Sequence, residues 1–279
     1  MSRPDADDPG ALHLRFAGVR LRAKQAGALE GPDGGGRRAM TYCVGVKLDE
    51  GLIFASDSRT HAGVDNYSKF CKMTVFDRAG DRVLVLLSSG GLAATQTVIT
   101  LLRRRAAGKA PHLWSVDSMF DVANLVSDAM RDIERRDGPF LESGGLKFNA
   151  SFILGGQIAG EEMRLFRIYA EGNFIEAGTD TNFLQTGEAK YGKPILDLGV
   201  SSSATLEDAT KCVLVSFDST MLSNLSVGMP IDLLCYARDS LRVTMKRRFG
   251  EGDVYFDALT RQWNEGTRKV FRALPPLEW

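Results

Sequence analysis

Two short apolar runs near residue 40 are separated by a polar turn and predict a β-hairpin. Residues 41–47 and 52–57 are rich in β-branched and aromatic side chains, and Asp49-Glu50-Gly51 stands between them. Antiparallel pairing brings the end of the second run beside the start of the first. Asp57 is therefore expected near Thr41, although sixteen positions separate the two residues.

The remaining chain alternates between strand patterns and helix patterns. In order, the sequence predicts a hairpin at 73–76 and 82–88, helices at 92–107 and 116–133, strands at 149–154, 163–169 and 173–176, a helix at 206–225, a hairpin at 231–236 and 241–245, and an amphipathic helix at 254–274. Strands followed by helices, then strands and helices again, indicate an α+β domain.

Residues 1–39 show neither pattern. They are rich in Gly, Ala, Arg, Asp and Pro, and we expect them to be a disordered extension before a single domain at residues 40–279. Three explanations stay open, in this order: an upstream start codon with Met40 as the true initiator, a propeptide removed autocatalytically, or a retained extension on an inactive subunit. Met40 precedes a small residue, so an initiator methionine there would be trimmed easily.

Composition excludes several classes of function. Thirty-five basic residues balance 35 acidic ones, so nothing favours nucleic acid or an anionic membrane as a partner. The sequence has neither a secretory signal nor an apolar run long enough to span a membrane. Cys43, Cys71, Cys212 and Cys235 are scattered without a C-x-x-C pair, which favours reduced thiols in a cytoplasmic protein over a zinc site or a disulfide framework. No metal or organic cofactor is implied.

Thr41 carries the most specific candidate chemistry. A threonine hydroxyl is a weak nucleophile and needs a base to accept its proton, and the α-amine of an N-terminal threonine can be that base. A free α-amine has a pKa near 7.7–8.0, so a useful fraction is unprotonated at neutral pH. An amide nitrogen inside a chain has no such basicity. Cleavage before Thr41 is therefore a condition of activity.

Several motifs occur in the order of one family. Thr41-x-x-Val44-Gly45, followed by Gly51-Leu-Ile-Phe-Ala-x-Asp57-x-Arg59, resembles the opening of proteasome β subunits and their bacterial relatives. The fuller set, with Met-Thr-Tyr-Cys-Val-Gly at 40–45 and Thr-Gly-Glu-Ala-Lys-Tyr-Gly-Lys-Pro at 186–194, resembles the bacterial ancestral-β-subunit family, Anbu. The resemblance runs from about Thr41 to near the end of the chain.

The resemblance implies a fold and a set of catalytic roles. The fold is the four-layer αββα sandwich of N-terminal nucleophile hydrolases. Lys72 matches the family's catalytic lysine and would pair with Asp57, with Lys69 as the alternative. Gly90 would direct its N–H at the developing oxyanion, with Gly91 as the alternative. The family also implies self-association into a ring or an open, stacked assembly.

The supporting residues differ from those of true proteasomes. Glu188 stands where they carry a serine, and alignment places Ser223 where they carry an aspartate, with Ser226 near a further serine. Glu188 could replace the lost acid, or it could bind Lys190 or a neighbouring subunit.

The same alignment predicts the substrate pocket and the partners. Its lining would be uncharged and mixed: Thr60, Ser88, Leu92 and Gln96. Peptides or unfolded proteins are the expected substrates, and no unfoldase partner is identified. The helices at 92–107 and 116–133 carry more apolar surface than one sheet needs, so we expect them to contact neighbouring subunits.

The function favoured by these residues is a threonine-type peptidase. Two alternatives stay open: an amidase of the same fold that acts on a small amide, and a catalytically silent scaffold or binding subunit that keeps residues 1–39.

Overall fold

Twelve strands and five helices alternate along residues 41–61 and 67–278, the part of the chain that the computed structural model describes. The strands are β1 (Tyr42–Lys47), β2 (Gly51–Asp57), β3 (Arg59–His61), β4 (Tyr67–Lys69), β5 (Met73–Arg78), β6 (Arg82–Gly90), β7 (Ala150–Ile158), β8 (Arg164–Ile168), β9 (Phe174–Glu176), β10 (Phe183–Gly187), β11 (Ile231–Ala237) and β12 (Met245–Phe249). The helices are α1 (Leu92–Arg105), α2 (Met119–Ser143), α3 (Lys193–Gly199), α4 (Leu206–Ser223) and α5 (Val254–Ala273).

The strands form two five-stranded antiparallel sheets and one small ribbon. The first sheet has the order β10-β1-β2-β11-β12, the second has the order β5-β6-β7-β8-β9, and β3 pairs with β4. The predicted first hairpin is confirmed, because β1 pairs with β2 from Cys43↔Ser56 to Lys47↔Leu52. Strand β1 is internal to its sheet, since β10 pairs along its other edge.

Three apolar cores separate four layers. Alternate residues of β1 and β2 point to opposite faces, as the pleat of a strand requires. Val44 and Ile53 pack under α4 and α5, whereas Phe54 packs between the two sheets against Leu87 and Ile153. A third core lies between the second sheet and helices α1 and α2. The layers are therefore helix, sheet, sheet and helix, and the predicted αββα sandwich is confirmed.

Several predicted boundaries were wrong. Helix α2 continues through Pro139 to Ser143, ten residues beyond the expected end, and its residues from Arg135 onward are mostly exposed, so no apolar period marks these turns. Helix α3 was not predicted. The last strand of the first sheet begins at Met245 rather than 241, and its charged, exposed residues hide the strand pattern. Such charges are usual on an edge strand.

The described residues, 41–61 and 67–278, belong to one compact unit. The expected extension at 1–39 lies outside the described residues, as do residues 62–66. Among the described helices, none is both long and apolar enough to cross a membrane.

Candidate active site

Thr41 lies directly before β1 and is held through its backbone carbonyl. The N–H of Glu188 donates to Thr41 O at 2.6 Å. Gly187 comes so close that a Cβ there would lie 1.8 Å from the same oxygen, and its φ of +84° suits glycine. Thr41 is 7% exposed. The sheet therefore fixes the C-terminal side of this residue at the mouth of a cavity.

Asp57, at the end of β2, is fully buried and accepts hydrogen bonds from four directions. Its Oδ1 accepts from the N–H of Tyr42 at 3.1 Å and from Lys72 Nζ at 2.6 Å, and its Oδ2 accepts from the N–H of Arg59 at 3.2 Å. The backbone of Gly228 also donates to it. Burial raises the pKa of the Asp57 carboxyl above its usual range, although Lys72 and the other donors oppose that rise.

Lys72 forms the predicted ion pair with Asp57, and both side chains are buried. Its Nζ also donates to the carbonyl of Arg59 at 2.7 Å. Lys69, the alternative lysine, lies in β4, and its side chain is exposed. The structure therefore brings Lys72, and not Lys69, to Asp57.

Gly90 ends β6 in a conformation that favours glycine. Its φ is +104°, and a Cβ there would lie 2.5 Å from the carbonyl oxygen of Asn149. The N–H of Ser88 donates to Lys72 O at 2.9 Å, and alternation along the strand turns the N–H of Gly90 to the same side. Gly91 differs, since its N–H donates to Asn149 O at 2.7 Å. The site-facing N–H is therefore that of Gly90.

A small cavity of about 20 Å³ lies beside Thr41. Its lining consists of Thr41, Arg59, Thr60, Lys72, Ser88, Gly90, Leu92 and Thr95. Thr60, Ser88 and Leu92 lie where the sequence analysis placed them. Gln96 was predicted there wrongly, because it is exposed on α1 and Thr95 takes the inward position one residue earlier.

The predicted supporting network is present only in part. Glu188 is buried, and its carboxylate accepts from the N–H of Lys190 at 3.0 Å and from Asn224 Nδ2 at 2.9 Å. The prediction for Ser223 was wrong by one position, because its side chain is exposed at the end of α4 and Asn224 reaches Glu188 instead. Ser226 joins this network indirectly, through its N–H to Asn224 Oδ1 at 2.9 Å.

Cysteine chemistry fits this site poorly. Cys43 is two residues from Thr41, but burial raises the pKa of its thiol strongly, so the reactive thiolate is disfavoured. Burial likewise raises the pKa of Cys212 to about 11. Within the described residues, no group of three or more His, Cys, Asp or Glu side chains could hold a metal ion.

Arg59, Thr95 and Asn224 are site residues that the sequence analysis missed. The first stands inside the Asp-Ser-Arg motif and was quoted only as part of the pattern. Thr95 and Asn224 are the immediate neighbours of Gln96 and Ser223, so moving each of those predictions by one residue would have found them.

The chain is similar to several proteins of one family. No protein-family model matches it. The Anbu complex of Pseudomonas aeruginosa, solved as a helical assembly, is 48% identical with a TM-score of 0.82, over 85% of this chain and 98% of that one. Anbu from Yersinia bercovieri is 46% identical with a TM-score of 0.80, over 85% of this chain and 99% of that one. A Gly-1 mutant of Anbu from Hyphomicrobium sp. strain MC1 is 47% identical with a TM-score of 0.80, over 86% of this chain and 100% of that one.

A more distant likeness points in the same direction. Proteasome subunit beta 2 of Nitrosopumilus maritimus strain SCM1 is 24% identical over 208 residues, which are 73% of this chain and 89% of that protein. The solved relatives are matched over almost their whole length at nearly half identity. This chain therefore belongs to the Anbu, or ancestral β-subunit, family of proteasome-like proteins, and it has the N-terminal nucleophile hydrolase fold.

Proposed function

We propose that this protein is a threonine-type peptidase whose nucleophile is the hydroxyl of an N-terminal Thr41. One observation carries the proposal: Thr41, Lys72 and Gly90 line one cavity, and the buried Asp57 holds Lys72 there. Each part has a chemical task in acyl transfer, and the sequence resemblance assigns the same tasks to the same residues.

The proposed reaction begins with attack of Thr41 Oγ on a peptide carbonyl. The α-amine of Thr41 takes the hydroxyl proton and passes it to the leaving nitrogen, as the C–N bond breaks and an acyl-enzyme forms. The Lys72 ammonium lowers the pKa of the amine by repulsion and favours the developing alkoxide. The N–H of Gly90 stabilises the oxyanion, a contribution of roughly 3 kcal/mol for one such donor. Water then releases the acyl group and restores the hydroxyl.

The proposal requires that no residue precede Thr41 in the active protein. A protein expressed from Met40, with the methionine removed, should react covalently with an electrophilic peptide such as an epoxyketone or a β-lactone. Intact mass and peptide mapping would place the adduct on Thr41. Thr41→Ser should keep part of the reaction, because it retains both the hydroxyl and the amine, whereas Thr41→Ala should not react.

The matched control is a protein that carries residues 1–39 in a form that cannot be trimmed. It should not react with the same probe. Equal peptide hydrolysis by the trimmed and untrimmed proteins would contradict the N-terminal nucleophile mechanism. Reaction with small amides but with no peptide would favour the amidase, and absence of any Thr41 adduct would favour a silent subunit.

We also propose that the protein self-associates. The solved complex from Pseudomonas aeruginosa is a helical assembly. In the present chain α5 exposes large apolar side chains along its length, among them Val254 at 84% and Phe271 at 68% exposure. A second copy of the chain would cover such a surface.

A further inference from the structure

A wide apolar groove opens beside Gly90. Its volume is about 670 Å³. The walls come from the last turns of α2 and from the segment that leads into β7. They carry four large apolar side chains: Phe140, Leu141, Leu146 and Phe148. Phe140 and Leu146 are 78% and 61% exposed, so the described chain leaves the groove uncovered.

The groove and the cavity beside Thr41 lie on two faces of the first turns of α1. Leu92 and Thr95 line the Thr41 cavity, whereas Ala93, Ala94 and Thr97 line the groove. Gly90 belongs to the lining of both. The two spaces therefore meet at the residue whose N–H would hold the oxyanion.

Their sizes differ greatly. The cavity beside Thr41 measures about 20 Å³, which is scarcely more than one water molecule needs and suits a substrate side chain no larger than a methyl group. The groove has room for a whole aromatic or aliphatic residue. Of these two spaces, the groove therefore offers a substrate at Thr41 the larger apolar surface to contact.

We propose that the groove binds the leaving-group side of the substrate, so that the preferred peptide has a small residue before the scissile bond and a large apolar residue after it. This inference rests on the proposed function. With the acyl side chain in the small cavity, the groove, which shares Gly90 with that cavity, is the adjoining space with room for the residue after the scissile bond.

Binding of an amine in the groove can be measured through the reverse of the acyl-transfer step. In the forward step the C–N bond breaks and the leaving nitrogen takes the proton from the α-amine of Thr41, so an amine product occupies the groove. By reversal, an added amine bound there attacks the acyl-enzyme and forms a new C–N bond as the ester bond to Thr41 Oγ breaks. The amine's proton passes through the α-amine of Thr41 to Oγ, which restores the hydroxyl. The amine competes with water, and the ratio of the two products reports binding in the groove.

The experiment uses protein expressed from Met40 and a short peptide ester that ends in alanine, which supplies no leaving-side residue. Phenylalanine amide or glycine amide is added, and mass spectrometry measures aminolysis against hydrolysis. Phenylalanine amide should be the better acceptor by about tenfold, a typical selectivity of an apolar pocket. Leu146→Asp and Ala93→Trp, which charge or fill the groove, should reduce that ratio to near one.

Leu198→Asp is the matched control, because Leu198 is an exposed apolar residue of α3 outside the groove. It should keep the preference for phenylalanine amide. Equal use of the two amines by an unaltered protein that does form the acyl-enzyme would overturn the groove assignment. Loss of the preference in Leu198→Asp as well would overturn it too. Failure of the ester to acylate Thr41 would instead contradict the proposed function, on which the groove's role depends.

Discussion

At the scale of single residues, the site depends on one buried ion pair. Lys72 and Asp57 are joined at 2.6 Å, and each has further backbone partners. Removing one member leaves the other buried without its counter-charge, which costs stability as well as chemistry. Variants of this pair must therefore be measured for folding and for activity separately.

The first prediction is that Lys72→Ala and Asp57→Asn each abolish most turnover per folded molecule. The double variant should lose little more than either single one, because the two residues act as a unit. Lys69→Ala, which alters an exposed residue of β4, is the control and should stay active. Near-normal turnover in Lys72→Ala, together with an inactive Lys69→Ala, would show that the wrong lysine was assigned.

The second prediction concerns the pH dependence of stability at Asp57. Burial raises the pKa of this carboxyl in the folded protein, whereas an unfolded chain has an aspartate pKa of about 3.9. The folded state then binds a proton more tightly than the unfolded state, so the contribution of Asp57 to stability is present at low pH and is lost as pH rises through the raised pKa.

Denaturant unfolding between about pH 4 and pH 7 would test this prediction. The free energy of unfolding of the unaltered protein, minus that of Asp57→Asn, should fall as pH rises. A difference that grows with pH would mean that attraction by Lys72 outweighs burial. Asp77→Asn, at an exposed position of β5, is the comparison variant.

Sequence reasoning placed the residues with a distinctive type and motif, and it misplaced those chosen by counting along a helix. Asp57 and Lys72 were predicted as partners because they match the aspartate and the catalytic lysine of the family that the chain resembles. Gln96 and Ser223 were chosen by alignment within helical stretches, where an error of one residue turns a side chain by about 100°. Thr95 and Asn224, their immediate neighbours, face the site.

At the scale of elements, the junction between β6 and α1 decides the geometry of the oxyanion site. The strand ends in Gly90 with φ +104°, and the helix begins after Gly91, whose φ is −63°. The carbonyl of Asn149 lies against both glycines and accepts the N–H of the second. This contact engages the N–H of Gly91, and in the proposed mechanism the N–H of Gly90 meets the oxyanion.

The third prediction is that Gly90→Ala destabilises the protein and Gly91→Ala does so much less. At position 90 an L-residue would be strained by its φ and by a 2.5 Å approach to Asn149 O, whereas the approach at position 91 is 3.3 Å. The expected cost of the first change is about 1–3 kcal/mol. Denaturant midpoints and rates of labelling at Thr41 would measure both effects. A larger loss in Gly91→Ala would contradict this account of the junction.

The hydrophobic pattern of the sequence predicted most helices and strands. It failed where exposed polar residues or tertiary contacts hide the regular spacing of apolar residues. Strand β12 has four exposed residues before the buried Phe249, so no alternation marks it. The last turns of α2 carry a polar run and Pro139, which usually ends a helix. These turns form one wall of the groove, so an important part of the site could not be derived from the sequence pattern.

At the scale of the whole molecule, the surface offered to a neighbouring copy in our proposal is the apolar face of α5, which carries more exposed large apolar side chains than any other described helix. Helices α1 and α2 were expected to supply it, but most of their apolar side chains, such as Val98 and Met130, lie in the core beneath them. Helix α5 has only Phe256 buried along its twenty residues. The sequence pattern identified α5 as amphipathic without indicating what its apolar face contacts.

The fourth prediction is that the protein is a homo-oligomer that depends on α5. Val270→Asp combined with Phe271→Asp should lower the mass measured by light scattering, because a charge buried in an apolar contact is unfavourable. Phe120→Asp, on an exposed part of α2, should leave the mass unchanged. A monomer mass for the unaltered protein at micromolar concentration would contradict self-association.

The four-way contact of Asp57 also affects how duplicated genes of this type can be judged. Asp57, the last residue of β2, contacts the start of β1, the start of β3, Lys72 and the backbone of Gly228, so selection for stability alone would retain it in a copy without enzymatic activity. The presence of Asp57 and Lys72 in a related sequence is therefore weak evidence that its product is an active enzyme. Thr41 is held through its backbone carbonyl, so replacement of its side chain removes the proposed nucleophile and keeps that contact. Such a replacement is the more informative mark of a pseudoenzyme.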